Sequence, residues 1–378
     1  MTATTSGAEA QAETQMGPLV RRLPPSLLCE APAGRVAVVG GSLERTGAPF
    51  FASMAALRCG AEQALVLCTR EAAAAVGAYA PEVRALPLLD AEHGRSVATS
   101  RLAEAHSLVV GPGLGEDVAL QALVVAMLRR LAESKSLARM SLVFDGDGIG
   151  LLADNKDVVA GHAGRVYLTA SADEVRKLAF AYLGRRDVDG RDHAALGTYR
   201  AQPAPRSTTL HGVQRPQRTA IEKPPTGCGS LRPLCARTYG QLAARVNRNA
   251  VLVLKGREDR IVVEGATYTC SVSDGLRRIG GHGDLMAGFL AVFAYWAALH
   301  DDEEGSSGGG GGGADDDDRR GRQATSPPPP PAAAVAAYAA CALVRHCSRF
   351  AFQSAGRSAI TSDMLAQIPK AFAECFAT

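Results

Sequence analysis

The stretch RRIGGHGDLMAG, from Arg277 to Gly288, sets three glycines and a histidine beside Asp284, just ahead of an apolar run. Glycines at a helix start leave backbone amides uncovered, and the helix dipole there favours an anion. Gly280, Gly281 and Gly283 therefore read as an anion hole, with Arg277, Arg278 and His282 around it. Asp284 falls in the first helical turn. The bland reading is an acid that suits the dipole. The functional reading is a general base that takes a hydroxyl proton beside a stabilised anion. Upstream, VLVLKGREDRIVVEG carries Lys255 on a strand into a turn made by Gly256, Arg257, Glu258 and Asp259. Alone this is an ordinary hairpin; beside an anion hole, Lys255 is a partner for a phosphate.

The elements that must position these groups are legible from spacing. After Asp284, the residues Leu285, Phe289, Val292 and Trp296 share one helical face and predict a core helix. Three more glycine turns follow strand-like runs: VVGGSLERTGAP, VVGPGLGED and VFDGDGIG. None fits GxGxxG or GxxxxGK[ST], so neither a dinucleotide fingerprint nor a Walker loop is present. Four such turns at strand ends predict a long, phosphate-rich cleft. From about residue 35, short apolar runs alternate with helical patterns, which predicts an α/β fold around a mostly parallel sheet.

Composition narrows the classes. Hydrophobic residues make up 47% of the 378, enough for a large core, and the net charge of +3 argues against a nucleic-acid partner. The longest apolar run, Leu285 to Leu299, is short for a membrane span, so no membrane partner is expected. The N-terminus has no apolar signal core and carries Glu9 and Glu13 before any arginine, which predicts a cytoplasmic protein without settling whether a mitochondrial copy exists. The nine cysteines form no CxxC pair and read as reduced core thiols. Residues 1–33 read as a flexible extension and 34–378 as a single domain. Within it, 184–237 reads as an insertion rich in Arg, Pro, Gly and Thr, and 301–331 as a low-complexity loop expansion of acidic, glycine and proline runs.

In this order, the motifs resemble the ribokinase-like superfamily, and within it the NAD(P)H-hydrate dehydratases of the ATP-using eukaryotic branch. The resemblance runs from about Gly34 to Phe376 outside the two insertions. It is carried by GGSLERTGAPFFASMAALRCGAE, YAPEVRALPLL, VVGPGLGED, FDGDGIGLL, VYLTASADEVRKL, LKGREDRI, RRIGGHGDLMAG and GRSAITSDML. The glycine–Asp turn points only to the superfamily; GAPFFAS with YAPE and GPGLG narrows it.

The resemblance implies a three-layer α/β/α sandwich and a lyase of cofactor repair, which uses ATP with magnesium to return hydrated NADH or NADPH to the working form. It implies that Asp284 is the base, with Gly281 and Gly283 supporting catalysis. It gives the nucleotide to Lys255–Asp259 and Arg277–Gly283. It gives the hydrated cofactor to Gly113, Asp284 and the run Ser171, Ala172, Asp173, Glu174, Val175, Arg176 and Lys177. Three residues depart from the family pattern: Ser171 stands for an asparagine, His282 for a glutamine and Arg45 for a tyrosine. At His282, an exposed imidazole without a role is expected. The partners expected are small molecules, and a homo-oligomer is compatible with the sequence. Two other readings stay open: a kinase of the same superfamily acting on a vitamin-precursor hydroxyl, and a non-catalytic nucleotide-binding protein. The retained Asp284 counts against the second.

Overall fold

The computed structural model describes residues 16–25, 33–91, 94–134, 137, 139–184, 236–307 and 329–376. Helix α1 covers residues 16–21. After it come β1 (Arg35–Val39), α2 (Gly47–Arg58), β2 (Gln63–Cys68), α3 (Arg70–Tyr79), β3 (Val83–Pro87), α4 (Gly94–Leu102), β4 (Ser107–Val110) and α5 (Val118–Glu133). The chain continues through β5 (Ser141–Asp145), α6 (Asp147–Asp154), β6 (Val166–Ala170), α7 (Ala172–Leu183), α8 (Ala236–Val246), β7 (Ala250–Leu254), β8 (Asp259–Val263) and β9 (Ala266–Cys270). Three helices close it: α9 (His282–Ser307), α10 (Ala332–Ala355) and α11 (Thr361–Phe376).

Nine strands form one sheet in the order β3-β2-β1-β4-β5-β6-β7-β8-β9. The pairs from β3 to β7 are parallel, and β7-β8 and β8-β9 are antiparallel. The central strands are apolar on both faces because helices cover both: β4, β5 and β6 are buried at every residue. One core packs α2, α9, α10 and α11 on the sheet, and the other packs α5, α6, α7 and α8 on the opposite face. This is the expected α/β/α sandwich with a mostly parallel sheet.

The chain runs outward from β1 to β3 and then returns to place β4 beside β1. An open parallel sheet leaves a crevice at the carboxyl ends of its strands at such a reversal. Glycine makes the crevice possible, because backbones meet there. A Cβ on Gly40 would lie 2.1 Å from the Pro112 carbonyl oxygen, and one on Gly111 would lie 2.0 Å from the Asp145 carbonyl oxygen.

The structure departs from expectation at four points. Part of the N-terminal extension packs: Met16, Val20 and Leu23 are buried in the α9–α10 core, which an apolar helix can join wherever it starts. Helix α9 is buried all round between Leu285 and Ala294, not on one face, because α2, α10 and the sheet surround it. Its stretch His282–Asp301 is long and apolar enough to cross a membrane by length and composition, with 67% of it buried inside the fold. Of the expected insertions, Gly184 is the left-handed cap of α7, 236–237 open α8, 301–307 continue α9 and 329–331 precede α10; the rest lies outside the described residues. Cys59, Cys68, Cys341 and Cys347 are buried free thiols, Cys270 is buried and Cys375 is half-buried; Cys29, Cys228 and Cys235 lie outside the described residues.

Candidate active site

Five strand ends meet at the crevice. β5 ends in Asp145, which is buried with its Oδ1 accepting from Lys255 Nζ at 2.6 Å and from Thr169 Oγ1 at 2.6 Å. Lys255 leaves the end of β7, and Glu174 Oε2 lies 4.0 Å from its Nζ. Burial pulls the Lys255 ammonium down, but Asp145, Glu174 and Asp284 together outweigh it and hold the pKa above its ordinary value. The ammonium therefore stays charged.

Above this pair begins α9. Gly281 takes a left-handed φ of +78°, and its carbonyl accepts from Leu285 N at 3.1 Å. Gly283 sits directly over the ion pair: a Cβ there would be 3.3 Å from Lys255 Nζ and 3.4 Å from Asp145 Oδ2. The anion-hole turn, the cation and the carboxylate are thus brought together. Asp284 is half-buried beside them, and its pKa is pushed up to about 7. Burial is the main cause, with Asp145 and then Asp147 adding repulsion and Lys255 opposing. Such a carboxyl group is poised to exchange a proton near neutrality.

The far wall comes from β1, β4 and β5. Gly113 has φ +63°, and a Cβ on it would lie 2.4 Å from the Arg45 carbonyl oxygen, so the two turns touch through bare backbone. Arg45 reaches across to Asp147, with Nη1 at 3.1 and 3.0 Å from its two oxygens. Asp147 Oδ2 also accepts from Gly115 N at 2.8 Å. Thr46 Oγ1 bonds the Tyr79 hydroxyl at 2.8 Å, which ties the GAPFF helix to YAPE.

Several residues expected in the site have other duties. Asp259 is buried, and both its oxygens are engaged within the fold: Oδ1 accepts from Gly256 N at 3.0 Å and Oδ2 from Arg345 Nε at 2.7 Å. Val175 is buried in the core under α7, because every third or fourth residue of an amphipathic helix must face the sheet. Ser171 caps α7 in a reciprocal box: its Oγ accepts from Glu174 N at 3.4 Å and its N–H donates to Glu174 Oε2 at 2.7 Å. Ala172, Asp173 and Lys177 are exposed, and Arg176 pairs with Asp173 on the helix surface. Arg277 donates to the Arg357 and Ala359 carbonyls, while Arg278, Arg257, Glu258, Gly256 and Gly280 are exposed at the rim. His282 is half-buried rather than exposed. Among the described residues its enclosed Nε2 has no hydrogen-bond partner, and it lies 3.7 Å from Asp274 Oδ2. Burial lowers its pKa against the pull of Asp274, so the imidazole is neutral at neutral pH.

Sequence reasoning missed Asp145, Asp147, Arg345 and Thr361 as parts of the site. FDGDG was visible as a turn after a strand, but not that its first aspartate would meet Lys255. Arg345 had one signal, a lone cation inside the apolar run ACALVRHC.

The chain matches the family model described as NAD(P)H-hydrate dehydratase over residues 36–202 and 236–370. It is 34% identical to the ATP-dependent (S)-NAD(P)H-hydrate dehydratase of Ixodes scapularis, covering 91% of this chain and 89% of that one. The Bos taurus protein of the same name is 34% identical, covering 95% and 88%. Among solved structures, a ribokinase-like superfamily protein of Enterococcus faecalis superposes with TM-score 0.59 at 15% identity, covering 95% and 94%. The ADP/ATP-dependent NAD(P)H-hydrate dehydratase of Bacillus subtilis co-crystallized with ATP/Mg2+ superposes with TM-score 0.55 at 15% identity, covering 94% and 96%.

Proposed function

This chain belongs to the NAD(P)H-hydrate dehydratase family, and we infer that within it Asp284 is the general base of an ATP-dependent removal of water from (6S)-hydrated NADH and NADPH. The observation that carries this reading is the half-buried Asp284, its pKa near 7, beside the Gly280–Gly283 turn and the Lys255–Asp145 pair. Hydroxide is a poor leaving group and phosphate a good one. Asp284 takes the proton from the carbon-6 hydroxyl as its oxygen attacks the terminal phosphorus of ATP, and ADP departs. Lys255 and the amides of the glycine turn stabilise the charge that develops on the phosphoryl oxygens. The ring-nitrogen lone pair then expels phosphate from carbon 6, and loss of a proton from carbon 5 restores the dihydronicotinamide. The rim residues Gly256–Glu258 and Arg277–Arg278 are in reach of the nucleotide, and Gly113 with the α7 N-terminus faces the hydrated cofactor.

The donor set would suit magnesium held by a carboxylate together with substrate phosphates, not an ion caged by protein alone. Among the described residues no three His, Cys, Asp or Glu side chains form a metal group. Magnesium usually keeps waters and takes one or two carboxylates with substrate phosphates. Asp145 Oδ2 accepts no hydrogen bond from the described residues, and Asp284 and Asp147 add negative charge nearby. Asp145 would hold the ion, which would neutralise phosphate charge when bound.

The test is Asp284→Asn assayed with ATP, magnesium and hydrated NADH. Return of NADH absorbance and release of phosphate should both vanish, while ATP binding by calorimetry stays within about threefold of wild type. Turnover retained in this variant removes Asp284 from the role of base.

A further inference from the structure

Arg345 projects from the middle of α10 and is 2% exposed. Its guanidinium spends its donors on one carboxylate and three backbone carbonyls: Nε to Asp259 Oδ2 at 2.7 Å, Nη1 to the Arg257 oxygen at 3.0 Å and the Val272 oxygen at 3.2 Å, and Nη2 to the Gly256 oxygen at 3.1 Å. Asp259 closes the ring by accepting from Gly256 N at 3.0 Å. Two segments are therefore pinned by one side chain: the turn that follows Lys255, and the strand exit that leads to Arg277 and the α9 glycines. A second contact keeps that exit against α10, since a Cβ on Gly275 would lie 2.9 Å from the Ser348 carbonyl oxygen.

A buried charge is costly to fold around, and an apolar pair of similar volume serves stability as well or better. What an apolar pair lacks is direction. A planar guanidinium offers donors at fixed angles, so four acceptors on two segments are held in one relative arrangement. Lysine cannot reproduce this, because its three protons radiate from one point.

We propose that Arg345 is a positioning residue for ATP: through Asp259 it sets the Gly256–Asp259 turn and the approach to the α9 glycines in the register that receives the nucleotide, without touching it. This rests on the reading that these two segments contact ATP. The role is specific to one substrate, because none of the Arg345 contacts reaches the Gly113 or α7 wall.

The experiment compares Arg345→Lys, Asp259→Asn and the double variant Arg345→Met/Asp259→Leu with wild type, each checked for folding by circular dichroism. The double variant removes both charges together, so it strands neither, where a single truncation leaves one charge buried and unpaired. Expected is a KM for ATP raised about tenfold or more in every folded variant, equivalent to about 1.4 kcal/mol of lost binding. The KM for hydrated NADH should stay within about twofold. An unchanged KM for ATP, an equal rise in both KM values, or failure of all three variants to fold overturns the assignment. Wild type that does not bind ATP at all overturns the underlying reading of the two segments instead.

Discussion

Asp284 is a carboxylate in a place that favours its protonated form, and two consequences follow at the scale of the residue. A base must be ionised to act, so kcat/KM should be high above pH 7 and fall tenfold per pH unit below it, on a limb centred near 7. A limb centred near 4 instead would show that burial does not govern this group. The same shift acts on stability with a definite sign. The folded-state value of about 7 lies above the ordinary 3.8, so the folded protein binds the proton more tightly than the unfolded chain. The favourable contribution is complete below about pH 4 and lost as the pH rises through 7. Asp284→Asn should therefore melt higher than wild type at pH 8, by on the order of 1 to 3 kcal/mol, with the difference gone near pH 4. Thermal melts at the two pH values read it directly. Lys255→Met should behave oppositely. It strands the buried Asp145 carboxylate and costs about 3 kcal/mol or more, with ATP affinity reduced at least tenfold. An unchanged melting temperature and ATP affinity in that variant would count against the ion pair as the floor of the site.

At the scale of elements, the site is a set of helix and strand ends held by contacts from outside it. The α9 start is the clearest case. Thr361, at the head of α11, donates to the Gly280 carbonyl, and Arg277 is tied to the carbonyls just before α11. Gly281 takes a left-handed φ against Thr361, with only 2.7 Å for a Cβ. Gly281→Ala should therefore pay both strain and collision, costing roughly 1 to 3 kcal/mol and shifting the glycine amides. We expect at least a tenfold fall in kcat/KM in that variant, with Gly280→Ala much milder because open space surrounds it. Equal effects of the two would contradict the asymmetry. At this scale the sequence was legible where the signal is local: RRIGGHGD announced a glycine turn on a helix. The cap that Ser171 makes with Glu174 was not foreseen, because both residues were assigned to the substrate. The fate of Asp259 was not legible, because it depends on Arg345, 86 positions later in the chain. Val175 was misplaced for a related reason: carrying a whole run to the substrate ignores that one face of its helix is buried.

For the whole molecule, the alternation of apolar runs and helical patterns was enough to foresee a parallel sheet covered on both faces, since only buried strands can be apolar throughout. The antiparallel β8-β9 edge and the packing of Met16, Val20 and Leu23 were not foreseen, because both depend on what lies next to them in space. A crevice formed by five strand ends should close on its nucleotide as a unit. ATP with magnesium at about 100 times its Kd should stabilise the fold by roughly 2.7 kcal/mol, a rise of several degrees in Tm. On the proposed function, phosphoryl transfer serves to expel a hydroxyl, not to make a stable phosphate ester. The direct measurement is to mix wild-type protein, ATP, magnesium and chemically hydrated NADH, and follow reduced-nicotinamide absorbance and inorganic phosphate in the same sample. Both should rise in parallel, one NADH for each phosphate. ATP consumed with a phosphorylated product and no NADH, or no reaction at all, would contradict it.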